Sequence, residues 1–94
     1  MSVTSEFLRV LGDVIDFLEN VSGEGPRTLA KQLVEARAIG EVDVTRGADL
    51  VLSFEGSSTS ASVVGLSADS DRRRYEDLRD HLLSLCRVVV GRAA

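Results

Sequence analysis

Residues 71–86, DRRRYEDLRDHLLSLC, gather side chains able to grip a phosphate, move a proton or attack an electrophile. Arg72, Arg73 and Arg74 stand in a row, followed by the chain's single tyrosine, histidine and cysteine, Tyr75, His81 and Cys86. Three guanidiniums aimed at one anion would make a phosphate site, because each offers a fork of charged donors. On a helix, however, consecutive positions are about 100° apart, so three neighbours fan over roughly 200° instead of converging. Cations near a helix N-terminus also oppose the macrodipole. Arg72, Arg73 and Arg74 are therefore candidate contacts for an acidic partner.

Nucleophilic chemistry at Cys86 would need the His81 imidazole within hydrogen-bond reach. Five helical positions set the two about 140° apart. Cys86 follows Leu82 and Leu85 and reads as a small buried apolar residue, the common fate of a free thiol. His81 lies four after Asp77, a spacing that predicts an ion pair. Arg72 with Glu76, Arg73 with Asp77 and Arg79 with Glu76 are similarly placed within one turn, which describes a solvated, salt-bridged face.

Other chemistry finds less support. One His and one Cys are too few for a structural zinc site, and Asp13, Asp16, Glu19, Asp69 and Asp71 lack the spacing of a calcium loop. Gly23-Glu24-Gly25 precedes a helix, but no strand leads into it and no Lys-Ser/Thr pair follows, so it reads as a loop between helices. No catalytic, cofactor-binding or metal-ligating residue is assigned, and no cofactor is expected.

The elements that hold these residues follow from apolar spacing. Between Val3 and Val21, Phe7, Leu11, Val14 and Leu18 recur at helical intervals, with Val10, Ile15 and Phe17 beside them. Arg9, Asp13, Asp16 and Asn20 form a narrow polar stripe, so this helix must be covered on more than one side. SGEGP at 22–26 breaks it, and 26–39, PRTLAKQLVEARAI, resumes the period to a C-terminal Gly40. Beyond Gly40 the period changes to two, with Val42 and Val44, then Leu50, Leu52 and Phe54, alternating with polar neighbours around a turn at Arg46-Gly47-Ala48-Asp49. Ala61–Leu66 adds a candidate third strand after the Ser-rich loop 56–62. From Asp69 onward, Tyr75, Leu78, Leu82, Leu85 and Val89 form the stripe of an amphipathic helix. The expected fold is α+β: two N-terminal helices, a small antiparallel β-hairpin or three-stranded meander, and a C-terminal helix, in the order ααβββα.

Ninety-four residues with 44% hydrophobic content make a single domain, 1–94. A chain this short buries only roughly 60–65% of its unfolded surface, and its aromatic content of 4% leaves the core mostly aliphatic. Such a core favours self-association. The net charge of −4 is uneven: residues 1–56 carry ten acids against five bases, and 57–94 carry five against six. Nucleic-acid binders usually show a basic surplus. No uncharged run approaches the ~18 apolar residues of a membrane span, and the N-terminus lacks the basic start of a signal peptide. A lone thiol suits a reducing compartment, so the cytoplasm is the expected location.

The leading expectation is a small non-enzymatic interaction or regulatory domain, a homodimer or adaptor for another protein. Its candidate interface is Phe7, Leu11, Val14 and Leu18 on the first helix or Leu82, Leu85 and Val89 on the last. The second reading starts from PRTLAKQLVEARAI followed directly by a hairpin tipped by Arg46-Gly47, which resembles the recognition helix and wing of winged-helix proteins in general shape. That resemblance implies nucleic-acid contacts at Arg27, Thr28, Lys31, Gln32 and Arg46, against an acidic balance that disfavours them. A small enzyme or small-molecule binder with no identifiable catalytic set ranks third.

Overall fold

The computed structural model describes residues 2–21, 23–53 and 68–93. Helix accounts for 93% of them. In chain order the helices are α1 (Val3–Asn20), α2 (Glu24–Val42), α3 (Val44–Ser53) and α4 (Asp69–Ala93).

Local chemistry explains where each begins. Ser2, in extended backbone, caps α1 by accepting the Ser5 N–H on Oγ at 3.2 Å, satisfying one of the amide donors left over at a helix start. Glu6 sits in the favourable first turn. The Arg9 guanidinium then bridges one turn back to Glu6 and one turn on to Asp13. Gly23, at φ +131°, supplies the backbone conformation that starts α2, and Pro26 lies in its first turn, where a missing N–H is harmless. In α4 the ladder opens with the Arg72 N–H donating to the Ala68 carbonyl at 3.0 Å.

The α+β expectation is overturned, since no strand occurs among the described residues. Gly40 lies inside α2 instead of ending it, Val42 closes α2, and the supposed turn Arg46-Gly47-Ala48-Asp49 is the body of α3. With the hairpin goes the wing on which the winged-helix resemblance depended. The Ser-rich 56–62, the candidate strand Ala61–Leu66 and the distal end of the preceding strand, Phe54 and Glu55, lie outside the described residues. A short apolar run fits both periods, which is why the reading fails here. Val42, Val44, Leu50 and Leu52 alternate, yet Val44, Ala48 and Val51 also fall at i, i+4 and i+7 on one helical face. Packing chooses the second pattern, burying Gly47, Ala48 and Val51.

A single residue, Asp43, joins α2 to α3 and serves both. Its backbone N–H donates to the Ile39 carbonyl at 2.8 Å, ending α2. Its Oδ1 accepts from the Arg46 N–H at 3.3 Å and its carbonyl accepts from the Gly47 N–H at 3.1 Å, starting α3. The chain thus turns a corner with no spare residue. The helices pack as a closed cycle in which α1 touches α2 and α4, and α3 touches the same two. Inside the cycle lie Phe7, Leu11, Leu18, Ala36, Ala48 and Cys86, all fully buried.

The corner closes only because two glycines meet. A Cβ on Gly47 would stand 2.5 Å from Gly40 Cα and 2.9 Å from the Ala36 carbonyl oxygen. Those are backbone atoms, which cannot swing aside as a side chain could. At Gly12 in α1, by contrast, an added Cβ would meet only the Arg37 guanidinium, at an ordinary 3.6 Å. Alanine is favoured over glycine within helices by ~0.8–1 kcal/mol, whereas overpacking costs about 1–3 kcal/mol. Thermal unfolding followed by circular dichroism is therefore expected to show opposite signs, Gly12→Ala raising the midpoint and Gly47→Ala lowering it. A rise for both would show that the α2–α3 contact is not tight.

Candidate interaction surface

The crowded segment 71–86 is dispersed by the helix that carries it. Tyr75 is 1% exposed and stacks on Phe17 of α1, ring centroids 6.3 Å apart and 20° from parallel. Cys86 is fully buried, while His81 stands out in solvent, so thiol and imidazole do not share a site. His81 also turns from its expected partner: its Nε2 lies 3.9 Å from Glu6 Oε1 on α1, and no Asp77 pair forms. The Arg9 hydrogen bond, against a smaller desolvation cost, holds the Glu6 carboxyl below its ordinary range, with the Arg9 and His81 charges adding to it.

Arg72 is half-buried and Arg73 and Arg74 are exposed. Among the described residues neither the Arg72–Glu76 nor the Arg73–Asp77 spacing closes into an ion pair within 4.0 Å, although Arg79 lies 4.0 Å from Asp80. The three arginines occupy successive positions at the start of α4 and do not converge.

The apolar residues expected at an interface are inside the chain's own core. Phe7, Leu11, Val14 and Leu18 are at most 1% exposed, and Leu82 and Val89 are buried. Only Leu85 is half-exposed. The several apolar rows of α1 are covered on one flank by α2 and on the other by α4, so covering them requires no second copy.

The set drawn from the winged-helix resemblance splits in two. Arg27, Thr28 and Lys31 are exposed and Gln32 half-buried in the first turns of α2. Arg46 is exposed on α3 beside Ile39, and Ile39 is eight residues beyond Lys31, about 12 Å along the helix. These side chains make no common basic surface.

What the spacing does not reveal is the outer side of α2 where it meets α3. Val42 is 92% exposed, Val34 48% and Ile39 39%. Once Leu29, Leu33, Ala36 and Gly40 are known to face inward, Val34, Ala38 and Val42 fall at i, i+4 and i+8 on the opposite side. That signal is legible only after the buried stripe is assigned. Between α2 and α3 runs a shallow groove of about 280 Å³, lined by Ile39, Arg46, Asp49, Leu50 and Ser53. Ser53 Oγ donates to the Leu50 carbonyl at 2.6 Å, so it is already engaged.

Two other cavities are less suited to a ligand. A hollow of about 400 Å³ lies where Ser2 to Thr4, Val44, Thr45, Val89 and Arg92 meet, but the helix starts beside it are capped by Ser2 and Asp43. A void of about 20 Å³ near Tyr75, Val14 and Val51 is no larger than one water. Among the described residues no three His, Cys, Asp or Glu side chains gather to hold a metal ion, and no helix is long and apolar enough to cross a membrane. Among the described residues the fold is thus a small arrangement of four helices with an apolar corner. No protein-family model, curated protein or solved structure matches the chain.

Tyr75 gives this packing a pH limit. Burial pushes its phenol up to about 12, partly opposed by the Arg79 charge, from an ordinary value of 10. The raised value belongs to the folded state, so its contribution to stability is complete below about pH 10 and is lost as pH rises toward about 12. Tyr75 is the only tyrosine and tryptophan is absent, so phenolate absorbance reports it alone. The expected titration is displaced to high pH and coincides with loss of helical signal; an ordinary tyrosine titration in the folded chain would contradict the buried ring.

Proposed function

We propose that the chain is a small protein-interaction module whose contact surface is the outer corner of α2 and α3. The observation that carries this reading is that three of the four exposed large apolar residues among the described ones, Val42, Ile39 and Val34, lie on α2, with Val42 the most exposed, while the fourth, Val88, stands alone on α4. Isolated surface apolar residues are ordinary, but neighbouring ones beside polar groups are characteristic of binding sites; Ile39 and Val42 are three residues apart at the end of α2, with Val34 about two turns back. Here Ile39 also lines the groove, together with the half-buried Leu50 and the exposed Arg46 and Asp49. The corner is held by the Gly40–Gly47 contact and by the double cap at Asp43, so a partner meets a surface that is formed in advance. Preorganisation of this kind lowers the ordering cost of binding.

Position-resolved crosslinking tests the reading. A photoreactive side chain introduced at Val42 is expected to give a discrete adduct in the producing cell, while the same group at the exposed positions Asp13 on α1 and Glu76 on α4 gives none. Equal adduct formation at all three positions, or none at Val42, would remove the α2–α3 corner as the contact surface.

A further inference from the structure

Resting on that surface reading, we infer that the occupant of the groove is a second copy of this chain, with α3 lying antiparallel to its counterpart across a two-fold axis. The charges on the rim carry the argument. Arg46 and Asp49 are exposed, three residues apart on α3, and neither side chain forms an ion pair within its own chain among the described residues. They are the only charged residues between Val44 and Ser53. An acidic partner would be met best by an excess of bases, and a basic partner by an excess of acids. One of each, side by side along a helix, is matched by its own reverse: turning the helix end for end places Arg46 opposite the partner's Asp49 and Asp49 opposite the partner's Arg46.

A two-fold contact requires such a self-complementary patch. The apolar part meets the same requirement, because Ile39 and Leu50 in the groove would face the same residues of the copy, with Val42 at the margin. The overall charge of −4 opposes association at long range; α3 itself is neutral, and the exposed Asp43 beside Val42 adds one negative charge at the margin of the contact. Nearby on α2, Arg37 and Glu41 already pair at 3.6 Å. The face is narrow, which places the dimer among weak specific contacts.

Charge exchange provides the test. Sedimentation velocity of the intact chain, taken up to about 1 mM to reach weak contacts, is expected to show the mean mass rising toward that of a dimer. Arg46→Asp or Asp49→Arg alone places like charges opposite each other twice and should weaken association at least about tenfold. The double variant restores opposite pairs and should recover it. So should an equimolar mixture of the two single variants, in which each chain matches the other. Both positions are exposed, and unchanged circular dichroism verifies that the variants fold. A wild-type monomer throughout, single variants that associate normally, or weakened singles with no recovery in the double variant or the mixture would each overturn the two-fold dimer. If the dimer fails while Val42 still crosslinks to a different protein, the surface reading stands and only its occupant changes. Loss of both results removes both.

Discussion

Gly40 and Gly47 approach backbone to backbone, and the packing of α3 against α2 depends on that approach. Six residues separate them, with Asp43 as the only one outside a helix, so α3 must fold back against the last turns of α2. A β-carbon on Gly47 would hold the two axes apart. Spread in that way, α3 could not reach α4, and the cycle of α1, α2, α3 and α4 would open on the side that buries Val51 and Ala48. Glycine is a poor helix residue in general. Here its low intrinsic propensity is offset by contacts that a larger residue would prevent.

The closed cycle also explains how a chain with four aromatic residues builds an interior. Tyr75 and Phe17 stack between α4 and α1, while Phe7 fills the region beside Gly40, its ring 3.3 Å from where a Cβ there would lie. Aliphatic side chains occupy the remainder, each worth on the order of 1.5–3 kcal/mol when withdrawn from water. The absence of a side chain at Gly40 is thus part of the same packing that accommodates Phe7. The buried Cys86 belongs to this interior as a small apolar residue, and its proximity in sequence to His81 has no counterpart in space.

Much of the architecture is legible in the sequence. The rows headed by Phe7 and Leu11, the break at Gly23, and the stripe from Tyr75 to Val89 each span enough turns for the 3.6-residue period to separate from alternatives. Residues 42–53 do not. The run is short and holds three Val and two Leu, and Gly47 reads locally as a turn because its reason for being glycine lies in Gly40, a contact between helices that local spacing does not express. The same limit governs the surface. Phe7, Leu11, Val14 and Leu18 look available when α1 is considered alone, because which apolar rows are covered depends on how many helices surround it. The two helices that cover them, α2 and α4, are both legible as helices, but their placement on opposite flanks of α1 is not. The outer row Val34, Ala38 and Val42 is hidden for the converse reason: with Val42 assigned to a strand, its relation to Val34 disappears.

The joint at Asp43 has a mechanical meaning as well. Hinges absorb motion through residues whose dihedral angles are free to change, but each polar backbone group of Asp43 is held by a helix on one side or the other, and its carboxylate is held too. The two helices consequently move as one bracket. Rotating the backbone at Asp43 would break hydrogen bonds to both helices at once, so the place where the chain changes direction is also the place where α2 and α3 are coupled.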